Sequence, residues 1–137
     1  MTDKPRVVVI GYGYAGKKFH CYLVGLTEDL VLHGVCSRNE ETRRQIESEQ
    51  QVQTYASLDE VLADPDVDLV VLATPHDVHA PQAIQAMDAG KNVVTDKVMA
   101  MNLQEADAMI EAARRNGVVL NVFQNRRWDS GFLTVAK

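Results

Sequence analysis

VVVIGYGYAGKKFH, residues 7–20, places three glycines between four β-branched residues and a segment with a helical pattern. A strand, a Gly-x-Gly-x-x-Gly turn and a helix form the context in which this motif binds a dinucleotide. Gly11 allows the tight turn, Gly13 lets the backbone approach a pyrophosphate, and Gly16 lets the helix pack closely on the strand. The free N–H groups of that helix would face the anion. We therefore predict a dinucleotide-binding loop rather than a flexible turn. The predicted site includes the residues between the glycines: Tyr12, Tyr14 and Ala15.

The composition limits the class of protein. The chain has 137 residues, of which 46% are hydrophobic and 24% charged, which is typical of one globular domain. A net charge of −5 disfavours a nucleic-acid partner, which requires a basic surface. The longest apolar runs, such as VDLVVLA at 67–73, have strand length and are too short to span a membrane. The two cysteines lack metal-ligand spacing, and no apolar signal segment follows MTDKPR. We expect a reduced, cytoplasmic protein with no metal site and no membrane partner.

Predicted strands alternate with predicted helices along the chain. The strands are Arg6–Ile10, Leu30–Ser37, Gln53–Tyr55, Leu69–Ala73, Asn92–Thr95 and Val118–Phe123. The helices are Ala15–Leu26, Glu40–Glu49, one capped by Ser57 with Glu60, one that contains Pro81, and one capped by Asn102 with Glu105. The last of these carries Leu103, Ala106, Ile110 and Ala113 on one face and ends at Gly117. This order predicts an α/β fold: a doubly wound (Rossmann) parallel sheet with helices on both faces.

The end of the second strand distinguishes between two coenzymes. NAD usually meets an acidic side chain there, which accepts a hydrogen bond from the ribose 2′-hydroxyl. This sequence has CSRNEETRR at 36–44, which places Ser37 and Arg38 at that point. A hydroxyl and a guanidinium would bind a 2′-phosphate, so we predict that NADP(H) is preferred over NAD(H). Arg43 is either a second cation for that phosphate or a solvated charge on the helix.

The second half of the chain carries a more specific pattern. VVLATPHDVHAPQAIQAMDAGKNVVTDKVMA, residues 70–100, resembles the Gfo/Idh/MocA family of NAD(P)-dependent oxidoreductases. The hallmarks of that family are A-T-P-N-x-x-H, a Gly-Lys pair before the fifth strand, and E-K-P after it. The opening glycines and the closing FQNRRWDSGFLTV, 123–135, are similar too, so the resemblance covers nearly the whole chain. The ending looks most like the branch that contains NADP-dependent scyllo-inositol dehydrogenases and related sugar or polyol oxidoreductases.

The resemblance implies further coenzyme-binding residues. Ala73, Thr74 and Pro75 match the segment that lines the adenosine and nicotinamide-ribose side of the cleft. His76 stands where the family usually has Asn, and His79 matches the family histidine near the ribose. The alternative for His79 is an ordinary residue at the start of a helix.

The resemblance also implies a catalytic lysine. Lys97 matches the middle of E-K-P, where the family lysine lies near both nicotinamide and substrate. A lysine there can hydrogen-bond a reacting hydroxyl and oppose charge that develops on its oxygen. Asp96, included in the predicted site, replaces the family Glu, and Val98 replaces the family Pro. The family Lys-Pro bond is commonly cis, and the sequence leaves the Lys97–Val98 bond open.

Family members are more than twice as long as this chain, with a C-terminal α/β domain that carries the general acid/base histidine. The resemblance therefore implies a Rossmann domain at 1–124 and the start of an otherwise absent second domain at 125–137. Such a chain would bind coenzyme without catalysing a reaction alone. Apolar residues near the end would lack partners, which predicts either a disordered tail or dimerisation through it. These residues are Trp128, Phe132, Leu133 and Val135.

Three functions remain open from the sequence. The first is an NADP-dependent oxidoreductase that acts on a sugar, an inositol or a related polyol or carbonyl compound and forms a homo-oligomer. The second is a stand-alone NADP(H)-binding sensor or assembly module without catalysis. The third, a fold for S-adenosylmethionine or CoA, is disfavoured because methyltransferases typically have an acidic residue where this chain has Ser37 and Arg38.

Overall fold

A six-stranded parallel sheet forms the centre of the protein. The computed structural model describes residues 4–136. The strands run in the order β3-β2-β1-β4-β5-β6, and every neighbouring pair is parallel. The predicted Rossmann fold is therefore confirmed. The strands are β1 Arg6–Ile10, β2 Val31–Cys36, β3 Gln53–Tyr55, β4 Leu69–Leu72, β5 Asn92–Thr95 and β6 Leu120–Val122. Three have the predicted bounds, and the other three are one or two residues shorter at one or both ends.

Helices connect the strands in the predicted places. They are α1, a π-helical segment Gly16–Cys21 that continues as α-helix Tyr22–Leu26, then α2 Glu40–Gln50, α3 Leu58–Ala63, α4 His79–Asp88 and α5 Leu103–Asn116. A 3-10 turn, His76–Val78, precedes α4. The helix predicted over Ala15–Leu26 is therefore present, and its first half is π-helical. A hydrophobic pattern over six residues does not separate the i→i+5 bonding of a π-helix from the i→i+4 bonding of an α-helix.

The predicted helix caps are confirmed. The Ser57 hydroxyl accepts a hydrogen bond from the N–H of Glu60 at 3.2 Å, and Asn102 Oδ1 accepts one from the N–H of Glu105 at 2.8 Å. Gly117 ends α5 with φ 62°, the left-handed conformation that favours glycine. These short-range bonds fix where the helices begin and end without any tertiary contact.

Both faces of the sheet are buried, and this explains why the strands read as continuous apolar runs. On one face, Val7 and Val9 of β1 pack with α1 and α2, where Val24 and Ile46 are buried. On the other face, Val8 and Ile10 belong to the core beneath α4 and α5. The buried residues of α5 are Met109 and Ala112.

The buried face of α5 differs from the predicted one. Leu103 is 76% exposed and Ile110 is 39% exposed, so these two residues do not face the core. The structure instead buries Met109 and Ala112, with Ala113 partly buried beside them. Apolar residues stand at both sets of helical positions, so the periodicity alone could not choose between the two faces.

Residues after β6 form two short helical segments, the 3-10 turn Asn125–Trp128 and α6 Ser130–Val135. Apolar side chains are exposed on both: Trp128 is 73% exposed and Val135 is 88% exposed. The tail is thus helical in the structure, and dimerisation through it stays a prediction. Within residues 4–136, no helix combines the length and the apolar character that crossing a membrane requires.

Candidate dinucleotide-binding site

The carboxyl ends of the strands open into a cavity of about 940 Å³. The sheet reverses its winding between β1 and β4, so the loops that follow these two strands diverge and leave a crevice. The crevice is lined by the loop after β1, the turn after β2, the start of α3 and the loop after β4. A ligand in this position would contact segments from both halves of the sheet.

A side chain would have a different consequence at each of the three loop glycines. Gly11 adopts φ 98°, and a Cβ there would lie 2.6 Å from the Ala73 carbonyl oxygen. A Cβ on Gly16 would overlap the carbonyl oxygen of Gly11, so α1 packs directly against the loop. Gly13 differs, because a Cβ there would meet nothing within 4 Å.

The space beside Gly13 is open, as a bound pyrophosphate would require. The fold itself does not require glycine at this position, and Gly13 lines the cavity beside the start of α1. Bare backbone next to a helix N-terminus is the arrangement in which phosphate oxygens accept hydrogen bonds from backbone N–H groups. The loop therefore has the shape and the donors that a dinucleotide requires.

The turn after β2 brings a free cation to the cavity. Ser37 and Arg38 both line it. The Arg38 guanidinium has no hydrogen-bond or ion-pair partner within the part of the chain that the structure describes. Among the cavity-lining residues, the only carboxylate is that of Asp77, which belongs to the segment after β4. The β2 side of the cavity is thus positive.

Tyr12 lies in the glycine loop, but its side chain is bonded to α2. Its hydroxyl donates to Glu49 Oε2 at 2.7 Å and accepts from Gln50 Nε2 at 2.9 Å. Burial and the bond to Glu49 raise the pKa of Tyr12 to about 12. The Lys17 ammonium, which donates to Glu49 Oε1 at 2.8 Å, is the main cause that lowers the pKa of Glu49 to about 2. These contacts tie the loop to α2, and Tyr12 does not line the cavity.

The loop after β4 is held from beneath by His79. This histidine is fully buried, with Nε2 2.8 Å from the carbonyl oxygen of Thr74 and Nδ1 2.7 Å from that of Val98. It does not line the cavity, and its expected place near the ribose stays a prediction. Because the two carbonyls follow β4 and β5, the ring connects the two loops. His76, in contrast, is exposed at the start of the 3-10 turn.

Lys97 lies beyond the end of β5, outside the lining of the cavity. The Lys97–Val98 peptide bond is cis, as in the family pattern, although Val98 is not proline. Asp96 Oδ1 accepts a hydrogen bond from the N–H of Lys97 at 2.8 Å. The other oxygen of Asp96 lies 3.4 Å from Nε2 of His20, a residue of α1 that is only 5% exposed. His20 also packs edge-on against Phe123, with ring centroids 4.8 Å apart.

The cavity brings together about half of the predicted coenzyme-binding residues. Those that line it are Gly11, Gly13, Ser37, Arg38, Ala73, Thr74 and Pro75. The others do not line it: Tyr12, Tyr14, Ala15, Gly16, His76, His79, Asp96 and Lys97. Asn39 and Gln82 also line the cavity and were not predicted. The sequence does signal Asn39 as a helix cap, and its side chain accepts a hydrogen bond from the N–H of Thr42.

His20 makes the stability of the protein depend on pH. Burial lowers the pKa of its imidazole below the ordinary value of 6.5, and the charge of Asp96 opposes that shift only in part. The unfolded chain therefore binds the proton more readily than the folded one. The contribution of His20 is complete above about pH 6.5 and is lost as the pH falls through the lower, folded pKa.

We expect the free energy of unfolding, measured with urea, to fall between about pH 7 and about pH 5 in the wild type. The fall should be smaller in His20→Gln, which removes the titrating group from this environment. Equal slopes in the two proteins would contradict this explanation. Carboxylates with a lowered pKa, such as Glu49 at about 2, lose their contribution to stability only at lower pH. They therefore do not affect the comparison between the wild type and His20→Gln.

Comparison with known proteins assigns this chain to a family. The model of the family GFO_IDH_MocA, an oxidoreductase family with an NAD-binding Rossmann fold, matches residues 5–124. This chain is a member of the Gfo/Idh/MocA family. The resemblance stated from the sequence is thereby confirmed, and the family places the cavity in a domain that binds a nicotinamide dinucleotide.

Several relatives align with nearly the whole of this Gfo/Idh/MocA chain. It is 43% identical to the oxidoreductase YdgJ of Escherichia coli K12 over 98% of this chain and 38% of that protein. It is 35% identical to the NADP+-dependent scyllo-inositol 2-dehydrogenase IolW of Bacillus subtilis over 99% of this chain and 37% of the relative. The crystal structure of the WlbA dehydrogenase from Bordetella pertussis with NADH and UDP-GlcNAcA superposes with a TM-score of 0.90 and 30% identity, over 97% of this chain and 41% of that one. The chain thus spans about two fifths of the length of these relatives.

Proposed function

We propose that this chain is the NADP(H)-binding domain of an oxidoreductase that acts on a sugar, an inositol or a related polyol. The observation that carries the proposal is the Arg38 guanidinium, which has no partner among residues 4–136 and lies beside Ser37 on the β2 side of the cavity, where none of the described carboxylates lines the wall. A guanidinium and a hydroxyl offer charge-assisted hydrogen bonds to a 2′-phosphate. A carboxylate in the same place would repel that phosphate.

The rest of the coenzyme would extend across the switch point of the sheet. The pyrophosphate would accept hydrogen bonds from N–H groups near Gly13 and the start of α1, and the loop Ala73–Pro75 would contact the nicotinamide half. When bound, the nicotinamide ring supplies the position that accepts or donates a hydride. What this chain contributes is orientation, because the loops on both sides of the crevice are already fixed by packing and hydrogen bonds.

Lys97 is the residue that we propose for the reacting oxygen. Its side chain is half-buried, and its ammonium has no hydrogen-bond partner among residues 4–136. An ammonium can donate to a substrate hydroxyl or carbonyl and stabilise negative charge on that oxygen. The bond from its own N–H to Asp96 and the contact of His79 Nδ1 with the Val98 carbonyl hold the backbone on both sides of it.

The proposed substrate class rests on two relatives. IolW is by name a scyllo-inositol 2-dehydrogenase, and WlbA was crystallised with UDP-GlcNAcA. Both compounds carry several hydroxyl groups on a ring, one of which a dehydrogenase can oxidise. The coenzymes differ between these two relatives, since IolW is named for NADP+ and WlbA was crystallised with NADH. The coenzyme of this chain must therefore be inferred from its own β2 turn.

Calorimetric titration with NADPH and NADH tests the coenzyme. We expect the wild-type chain to bind NADPH more tightly, and Arg38→Ala to weaken NADPH binding roughly tenfold or more, because a hydrogen bond to a charged group contributes about 1.5–3 kcal/mol. The affinity for NADH should change little. Arg44→Ala is the matched control, because it removes a neighbouring positive charge whose guanidinium pairs with Glu40.

Two results would contradict the proposal. Equal affinities for NADPH and NADH in the wild type would remove the preference. An equal loss in Arg38→Ala and Arg44→Ala would mean that only the total charge of the surface matters. Both results would leave open the binding of a nicotinamide dinucleotide by the cavity, which the affinity for NADH reports separately.

A further inference from the structure

Arg43 has a defined position that neither of its expected roles explains. It lies in the first turns of α2, one helical turn after the β2 turn. Its Nη1 donates to the carbonyl oxygen of Ser37 at 2.8 Å and to that of Arg38 at 3.0 Å. The side chain is half-buried, and Arg43 is not among the residues that line the cavity. It is therefore neither a solvated charge nor a second cation that faces the ligand.

The two carbonyls belong to the residues that would read the 2′ position. The N–H of Ser37 donates to the carbonyl oxygen of Tyr55 at 3.0 Å, which fixes the start of the turn on β3. The N–H of Asn39 donates to the Ser37 hydroxyl oxygen at 3.3 Å. Within residues 4–136, the carbonyl of Arg38 is bonded only to Arg43. The orientation of the Arg38 peptide thus depends on the Arg43 guanidinium.

A guanidinium is well suited to this task. It is planar, stays charged at any ordinary pH, and can direct its N–H groups at more than one acceptor in a fixed geometry. The direction in which the Arg38 side chain leaves the backbone follows from the orientation of its peptide units. Holding two successive carbonyls therefore also aims the free guanidinium of Arg38 at the cavity.

We propose that Arg43 is a positioning residue that sets the coenzyme preference by holding the Ser37–Arg38 turn, and that it makes no contact with the 2′-phosphate itself. The inference rests on the proposed function, because it assumes that Arg38 binds that phosphate. Arg43 acts on the preference only through Ser37 and Arg38, chiefly through the charged guanidinium of Arg38. The affinity for NADH, which lacks the 2′-phosphate, does not depend on Arg43.

A double-mutant cycle tests this dependence. The affinities for NADPH and NADH are measured by calorimetry for the wild type, Arg38→Ala, Arg43→Ala and the double variant, with Arg44→Ala as the control. We expect Arg43→Ala to lower the NADPH/NADH preference several-fold. In the background of Arg38→Ala its effect should be much smaller, because the charged group that it positions is absent and only the Ser37 hydroxyl remains.

Three results would overturn the inference. If the effects of the two single variants multiply in the double variant, Arg43 is an independent cation. If Arg43→Ala keeps the preference of the wild type, the turn does not need it. If Arg43→Ala weakens NADPH and NADH equally, or lowers the thermal stability far more than Arg44→Ala does, its role is general folding.

A second measurement uses no coenzyme. In a proton–nitrogen NMR spectrum, Arg43→Ala should shift or broaden the backbone amide signals of residues 37–39, whereas Arg44→Ala should leave them in place. Unchanged signals in Arg43→Ala would overturn the inference. A wild-type chain without NADPH preference would overturn the proposed coenzyme and this inference together, whereas a preference that needs Arg38 but not Arg43 would overturn this inference alone.

Discussion

Replacing Gly13 with valine is expected to weaken coenzyme binding roughly a hundredfold while leaving the protein folded. The position has open space within 4 Å and does not adopt a positive φ, so the fold accommodates the larger side chain. The new side chain would occupy the space from which a pyrophosphate approaches the N–H groups near α1. Losing two hydrogen bonds to a charged group costs about 3 kcal/mol or more, roughly a hundredfold in affinity.

Calorimetry with NADPH measures this effect, and urea unfolding measures the stability of the same variant. Gly13→Ala should give an intermediate loss of affinity, because its side chain is a single methyl group. Gly25→Ala, in α1 but outside the cavity, should bind NADPH like the wild type. Normal affinity in Gly13→Val would show that the pyrophosphate binds elsewhere.

Replacing Gly16 with alanine is expected to do the opposite and destabilise the fold itself. A methyl group there would overlap the carbonyl oxygen of Gly11, which is backbone and cannot rotate away. The helix would have to move from the loop, and overpacking of this kind costs roughly 3 kcal/mol. The free energy of unfolding in urea is the measurement, and the loss should appear without any coenzyme present.

Gly25→Ala is the matched control for this variant as well. It makes the same substitution in the same helix, at a position where a Cβ would meet nothing within 4 Å. Because glycine in a helix interior is less favourable than alanine, the change should raise the stability by about 0.5–1 kcal/mol. If Gly16→Ala were as stable as the wild type, the close approach of α1 to the loop would not be a requirement of the fold.

The sequence predicted most of the fold because the signals were local. The buried strands are short apolar runs, and every one of them was found within two residues of its observed ends. The caps at Ser57 and Asn102 depend on side chains that bond an N–H three residues later, so a spacing in the sequence is sufficient to identify them. The glycine loop was recognisable because the strand, the turn and the helix follow one another directly in the chain.

The sequence could not predict contacts that tertiary packing creates. His79 bonds the carbonyl of Val98, 19 residues away, and no spacing rule connects a histidine to a distant backbone oxygen. The sequence predicted that the guanidinium of Arg43 faces a ligand or the solvent. The residue type alone does not reveal that two backbone carbonyls lie within hydrogen-bonding distance of it. The pair formed by His20 and Asp96 joins α1 to the end of β5, which only the three-dimensional fold brings together.

The strand order reverses between β1 and β4, and the two proposed roles of the site fall on different sides of this point in the sequence. The turn that would discriminate one coenzyme from the other is complete by residue 43, whereas Lys97 and its supporting histidine come after β4. The two halves meet through the ladder of β1 with β4 and through a shared core, in which Val8 and Val61 pack in one cluster with Met87 of α4. A change of the preferred coenzyme would then need substitutions only in the β2 turn and the start of α2, as long as the side chains of this shared core are kept.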